Sequence, residues 1–427
     1  MDVLKQFCRK AQEKGLPFYL VGGFLRDSLT GRASADLDLS GPPGALSFAA
    51  DFCRKNQLKG YLISRHRLMR LQLSGLSLDI SEFKGNNLTE DLAMRDFSLN
   101  AMALPLADYL AAGVQVDKLV DPLGGFIDLS QRTLRALPGA LERDPLRVLR
   151  GARMAVLFGL TPAKETITEA RKTAILLSAV PGERILAEIF AVLQGNASGY
   201  LPLLESLGAV QPVFGRRLTI QSDFVTQQTE TILNNSSLWP AALREKLRIH
   251  LMRPMAALTR AREMIKFAAM LCDLEGIAPV REETLRALAR LPLARRESKA
   301  LFALAEALHW LSRSRRGFGK KEIYNYFHRY GSWGADAALL FCALRGPGAH
   351  PAATRLLWEY ISPAGRLANP PQYLTGRELA AMVGKARLPS SLTGELQQSL
   401  RRAAALGDVV HKQEAAEFAE GFVGAFR

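Results

Sequence analysis

The chain has 427 residues, 48% of them hydrophobic and 23% charged, a globular composition with enough material for two to four domains. Lysine and arginine number 56 against 41 aspartates and glutamates, a formal charge of +15 that favours polyanionic partners bound in a salt-dependent way, nucleic acid first among them. No apolar run approaches the roughly 18 residues of a membrane-spanning helix, and the charged start Met1-Asp2-Val3-Leu4-Lys5 is no secretory signal. Cys8, Cys53, Cys272 and Cys342 are spaced for neither a disulfide framework nor a zinc site, which points to a reduced, cytoplasmic setting.

In chain order, the first recognisable element is the apolar run Phe18-Tyr19-Leu20-Val21, which predicts a short strand. Gly22-Gly23 end it and let the backbone come close to a ligand just before a predicted helix. No GK[ST] follows, so this is not a Walker loop, and it is not GxGxxG. Asp36 and Asp38 alternate with Leu37 and Leu39, as in a half-buried strand. Their carboxylates then leave one face, roughly 7 Å apart at the backbone, and together can hold two Mg²⁺ ions. The plainer alternative is a polar strand face beside a glycine turn. Arg65 to Leu73 and Leu78 to Phe83 read as two further strands, with Asp79 on the face opposite Leu78 and Ile80. Asp79 is either a third acid for the same metal site or an exposed strand residue. Asp96 and Asn100 are spaced i,i+4, which predicts one helix face. Arg95 could grip phosphate and Asp96 could accept from a ribose hydroxyl; alternatively Asp96 only caps a helix.

From about Leu141 strand signals nearly vanish and apolar residues recur at helical spacing, which predicts a helical array over 141–427. Breaks are expected at Pro181-Gly182, Pro202, Pro212, Gly346-Pro347-Gly348 and Pro370-Pro371. Asp144 and Arg147 lie at i,i+3, a carboxylate beside a guanidinium that can read a base edge. Asp144 followed by Pro145 is also an ordinary helix start, and both readings can hold together. Basic stretches run from Arg244 to Arg262, at Arg295-Arg296, and from Arg313 to Lys321. They are either solvated helix faces or a track for an RNA backbone.

The succession LVGGFLRD, DLD, RDFSLNAMA, DPLGGFIDL, RDPLRVLRGAR and GERILAEI resembles the class II tRNA nucleotidyltransferases and their poly(A) polymerase relatives. The likeness is close over residues 18–195 and weak beyond, apart from a tail-like stretch at Leu374–Leu379. It implies an α+β protein: a mixed α/β nucleotidyltransferase palm, or head, at 1–138, then an all-helical neck at 139–220, body at 221–345 and tail at 346–427. It also implies that Asp36 and Asp38 ligate two Mg²⁺ ions, with Asp79 as the candidate third acid, and that Gly22, Gly23, Arg26, Arg95, Asp96 and Asn100 surround the triphosphate and ribose. Asp144 and Arg147, with Arg150 beside them, would select the base, and Glu183 and Arg184 match the motif that braces the neck. The implied partners are the tRNA 3′ end and CTP, with ATP where a full CCA end is built, and no membrane.

Three features depart from the pattern. Met94-Arg95 stands where relatives have an arginine pair, and Arg143-Asp144 where they have Glu-Asp, with Glu142 displaced. Only Glu82 to Met94 separate the third-acid strand from Arg95, and in this family a shortened loop there goes with addition of CC alone. CC addition is therefore expected; full CCA addition, poly(A) synthesis and a catalytically idle RNA-binding protein are the alternatives. Ile265 to Asp273 resembles the HD-domain segment of some relatives, but Cys272 replaces the metal-binding histidine, so a degenerate body without hydrolase activity is expected.

Overall fold

Six short strands between residues 19 and 105 lay down one sheet. In the computed structural model, β1 is Tyr19–Val21, β2 Asp36–Gly41, β3 Gly60–Ile63, β4 Leu68–Leu73, β5 Leu76–Glu82 and β6 Ala103–Pro105. They form one mixed sheet in the order β3-β4-β5-β2-β1-β6, in which β2 and β5 are parallel and every other pair is antiparallel. The structure describes residues 2–426 apart from 34–35, 64–67, 74–75, 216–219, 257–258, 272–288, 290, 314–317, 347–349 and 363.

Period-two alternation sorts the two faces. Leu20, Leu39, Ile80 and Met69 are register partners across four strands, and all are buried. Over this face the helices Asp2–Glu13 and Ala45–Lys55 meet through aromatic rings: Phe7 lies 4.9 Å from Phe18, 5.1 Å from Phe48 and 5.1 Å from Phe52, all edge-on. Edge-to-face packing of this kind adds about 0.5–1.5 kcal/mol per pair beyond area burial. The opposite face of the sheet carries the charged residues.

The predicted strand over Arg65 to Leu73 is described from Leu68, and residues 64–67 lie outside the described part. The second strand starts earlier than expected, at Leu76 rather than Leu78. Asp96 and Asn100 do not share an α-helix: Ser98–Asn100 is a single 3₁₀ turn. Pro202 and Pro212 are not breaks. Each is the third residue of a helix, Tyr200–Ser206 and Val210–Phe214, where proline removes only an N–H that has no intrahelical partner. Pro181 and Pro370-Pro371 do lie outside helices, and after the latter Thr375 opens the helix Gly376–Lys385 with a capping box closed by Glu378.

The chain divides into two units, residues 1–185 with 203–213 and residues 186–202 with 214–427. In the second unit the described elements are helical, and no described helix is long and apolar enough to cross a membrane. Helices Gly376–Lys385, Leu392–Leu406 and Lys412–Gly424 enclose a small core of Leu379, Leu396, Leu400 and Val423. The segment resembling an HD domain begins on the helix Ala261–Leu271; Cys272 and Asp273 lie outside the described residues. Cys8, Cys53 and Cys342 are buried free thiols.

Within that unit Lys266 is fully buried, and its three donors are all used: Glu230 at 2.8 Å, Leu193 O at 2.9 Å and Gly195 O at 2.5 Å. Burial pushes this ammonium below its ordinary value, opposed by Glu230. Lys266→Met would leave the buried Glu230 carboxylate without a counter-charge, with only the Ala197 N–H and Asn234 Nδ2 as donors, and is expected to cost about 3–5 kcal/mol, seen as a lower urea midpoint. Adding Glu230→Gln should recover part of that loss; an unshifted midpoint in the single variant would show that the pair does not brace the unit.

Candidate functional site

Sheet register builds the site. Tyr61, Arg70, Asp79, Asp38, Val21 and Ala103 are register partners in one row across all six strands. Asp38 and Asp79 therefore stand side by side on parallel strands about 4.8 Å apart. Asp36 shares their face one pleat along, opposite Ser77. Arg70 forks onto Asp79 with two bonds, Nε–Oδ1 at 2.7 Å and Nη2–Oδ2 at 2.6 Å. Burial first, and then the Asp79 carboxylate, raise the Asp38 carboxyl above its usual range, with Arg95 opposing.

A cavity of about 340 Å³ opens over this row, lined among others by Gly22, Asp38, Asp79, Lys84, Arg95 and Arg147. Gly22 is there for a steric reason. Its φ is +74°, and an added Cβ would come within 3.3 Å of both Arg95 Nη1 and Asp38 Oδ2. The next layer holds the cations. Asp91, buried, accepts from Arg95 Nη2 at 3.0 Å, from Ser40 Oγ at 3.2 Å and from the Lys84 backbone N–H at 3.0 Å. Asp96, also buried, pairs with Arg150 at 3.1 Å and accepts from Asn100 Nδ2 at 2.9 Å and the Phe97 N–H at 2.9 Å. Burial pushes the Asp96 carboxyl up, but Arg150, Asn100 and Phe97 outweigh it and hold it below its ordinary value. The helix Arg147–Phe158 carries both Arg147 and Arg150 toward the cavity. Arg147 Nη1 donates to the carbonyls of Arg95, at 3.2 Å, and Ala140, at 3.1 Å.

The structure thus brings Gly22, Gly23, Asp38, Asp79, Arg95, Asp96, Asn100, Arg147 and Arg150 to one cavity. Three expected residues do not line that cavity. Arg26 is spent below the site: it bonds Asp27 at 2.8 Å and Asn100 Oδ1 at 2.7 Å, and stacks 4.4 Å from the Phe158 ring. Asp144 is one turn away from the lining, held by Arg184 Nη2 at 2.8 Å. Asp36 is exposed on the same strand face as Asp38. Sequence reasoning missed Arg70, Lys84 and Asp91. Asp91 and Arg95 are spaced i,i+4, a signal that was there to be read, whereas Arg70 and Lys84 gain their places only from the sheet. A larger cavity, about 470 Å³, lies among Trp239, Arg244, Arg248 and Arg262 of the second unit, but it lacks paired carboxylates, so volume alone does not locate the chemistry.

The donor set fits a hard cation, since carboxylate oxygens are its preferred ligands. Asp38 is crowded by Asp79 and Asp36, a repulsion that a bound cation would relieve. No group of three His, Cys, Asp or Glu side chains suited to hold a metal occurs among the described residues, so the fit rests on the Asp36–Asp38 pair. Arg95 Nε is buried without an acceptor.

Residues 18–135 match the poly A polymerase head domain. Over 215 residues the chain is 33% identical to a CC-adding tRNA nucleotidyltransferase of Geobacter sulfurreducens, covering 48% of this chain and 47% of that one, so the match spans about half the length of that relative. It is 28% identical to a CC-adding tRNA nucleotidyltransferase of Synechocystis over 410 residues, covering 94% and 92%. Other relatives carry the names A-adding tRNA nucleotidyltransferase and CCA-adding enzyme. The fold is that of the Thermotoga maritima CCA-adding enzyme solved with tRNA: TM-score 0.70 at 19% identity, covering 100% of this chain and 95% of that one.

A mixed sheet, here bearing this acidic row, followed by a helical remainder, is the architecture shared with that structure. The chain carries a poly A polymerase head domain at residues 18–135 and is similar along most of its length to tRNA nucleotidyltransferases.

Gly22→Ala is expected to cost about 1–3 kcal/mol of stability and to weaken CTP binding several-fold, measured by chemical denaturation and titration. Gly15→Ala is the control, with a similar φ of +65° but open space around the added carbon. It should lose stability and keep CTP binding; equal binding losses in the two variants would contradict the close approach at Gly22.

Proposed function

We propose that the protein adds nucleotides to the 3′ end of tRNA without a nucleic-acid template, in the cytoplasm, and that it adds two CMP residues from CTP and stops. The observation that carries this reading is the row in which Asp38 lies beside Asp79 under a cavity walled by Arg95, Arg147 and Arg150. Acids on the floor and guanidiniums on the wall match a substrate that presents a hydroxyl to be deprotonated and a triphosphate to be held.

Asp36 and Asp38 would hold the divalent ions, two Mg²⁺ in this reading, which supply Lewis acidity toward the attacking hydroxyl and the phosphates. Asp79 keeps its charge balanced by Arg70 and keeps the floor acidic. Arg95, anchored by Asp91 at the cavity wall, steadies the phosphate end of the site. Asp96 and Asn100 form a fixed pair for the ribose. Arg147 faces the base, and Asp144 supports the same turn through Arg184. Residues 139–220 act as the neck that carries these base-reading groups, 221–345 as a body and 346–427 as a tail for the tRNA.

The restriction to CC rests on the short connection from Phe83 to Met94. Hydrogen bonds hold it closed: Lys84 N–H to Asp91 at 3.0 Å and Asn86 N–H to Glu90 at 2.8 Å. A connection tied this way resists rearranging between one nucleotide and another, which supports use of CTP alone.

Incubation with tRNA lacking its CCA end and with CTP or ATP singly tests the reading. Two added C residues and none from ATP are expected; a terminal A added after CC, or a long A tail, would replace the CC assignment. Asp36→Asn and Asp38→Asn should each abolish incorporation. Asp38→Asn should melt no lower than the parent, because the folded state holds that carboxylate against burial and Asp79. Incorporation retained in either variant would remove the acids from the mechanism.

A further inference from the structure

We propose that Lys84 is a nucleotide-binding residue whose ammonium takes a phosphate oxygen of the incoming triphosphate, an assignment that rests on the nucleotidyltransferase reading above. Lys84 lines the same cavity as Asp38, Asp79, Arg95 and Arg147. The other cations of that wall are already engaged: Arg95 by Asp91 at 3.0 Å, Arg150 by Asp96 at 3.1 Å, and Arg147 by two backbone carbonyls. The Lys84 ammonium makes no ion pair or hydrogen bond among the described residues; only its backbone N–H is bonded, to Asp91 Oδ1 at 3.0 Å.

The backbone around Lys84 is pinned, so the position of its charge is not accidental. Asp91 anchors its N–H, Glu90 accepts from the Asn86 N–H at 2.8 Å, and Asn87 caps the helix Leu88–Ala93 through the Glu90 N–H at 3.0 Å. The residue is exposed overall, yet burial of the charge and then the nearby Arg95 push the ammonium below its ordinary value, with Arg147 acting in the same direction and Asp91 and Asp96 opposing. An unpaired cation pressed toward two guanidiniums is relieved by a polyanion. A neutral base edge would not relieve it, which favours phosphate over base as the contact.

The test is equilibrium binding of CTP and of cytidine to the full chain in chelator, so that only the protein's own cations act. Lys84→Met and Lys84→Ala are expected to weaken CTP about tenfold. Lys84→Arg should restore binding to within about threefold, and cytidine affinity and the melting temperature should not move. Unchanged CTP binding in Lys84→Met, an equal loss for cytidine, or no measurable CTP binding by the parent would each overturn the assignment. The reading of the reaction fails separately: a parent that binds CTP yet transfers nothing to tRNA with magnesium present refutes transfer, while the Lys84 comparison still decides the phosphate contact.

Discussion

The parallel pairing of β2 with β5 is the constraint on which the rest depends. It sets two carboxylates, Asp38 and Asp79, at one register position on one face. Two like charges so placed oppose folding unless cations flank them. The sheet supplies one from within the same row, Arg70 on β4, and the connection after β5 supplies another, Arg95. A slip of one residue in β2 would carry Leu37 and Leu39 to the charged face and Asp38 into the aromatic core, so the buried face enforces the register that the chemistry needs.

A second tier turns a charged surface into a preorganised one. Asp91 and Asp96 are buried acids, each holding one arginine of the wall, and each in turn held by backbone N–H groups and a neutral side chain. Buried ion pairs are poor sources of net stability, because desolvation consumes most of the Coulomb gain. Their return here is positional. Guanidiniums fixed before a ligand arrives need no reorganisation when phosphate charge develops, and that is where such donors are most effective.

How much of this was legible depends on whether a signal was local. The alternation of Asp36, Leu37, Asp38 and Leu39 carries its own period, so the acid pair and its face could be read from four residues. The glycine turn at Gly22 was equally local. The Asp96–Asn100 contact was expected and is real, but its helical basis was not: a 3₁₀ turn places the two side chains together instead. β3 and β6 are short, without clear alternation, and exist because a neighbouring strand completes their ladders. Arg70 and Lys84 could not have been singled out from the chain, since Arg70 matters only through cross-strand register and Lys84 only through the pinned connection. Pro202 and Pro212 misled because proline marks a helix start as readily as a helix stop.

Arg147 and Asp144, the groups proposed to read the base, follow a different logic from the acids. Arg147 spends Nη1 on the carbonyls of residue 95 and residue 140, and Asp144 spends Oδ2 on Arg184. Both groups are therefore tied to backbone or to a neighbouring helix rather than left to rotate. Arg95 thus ties the two together: its side chain is held by Asp91 and its carbonyl by Arg147, so in the proposed reading one residue would couple the grip on phosphate to the orientation of the group facing the base. To present a different donor pattern, Arg147 would have to leave two carbonyl partners at once, and one of those partners is fixed by Asp91 through Arg95. Under the proposed function, selection of a single base would draw on the same buried carboxylate that anchors Arg95.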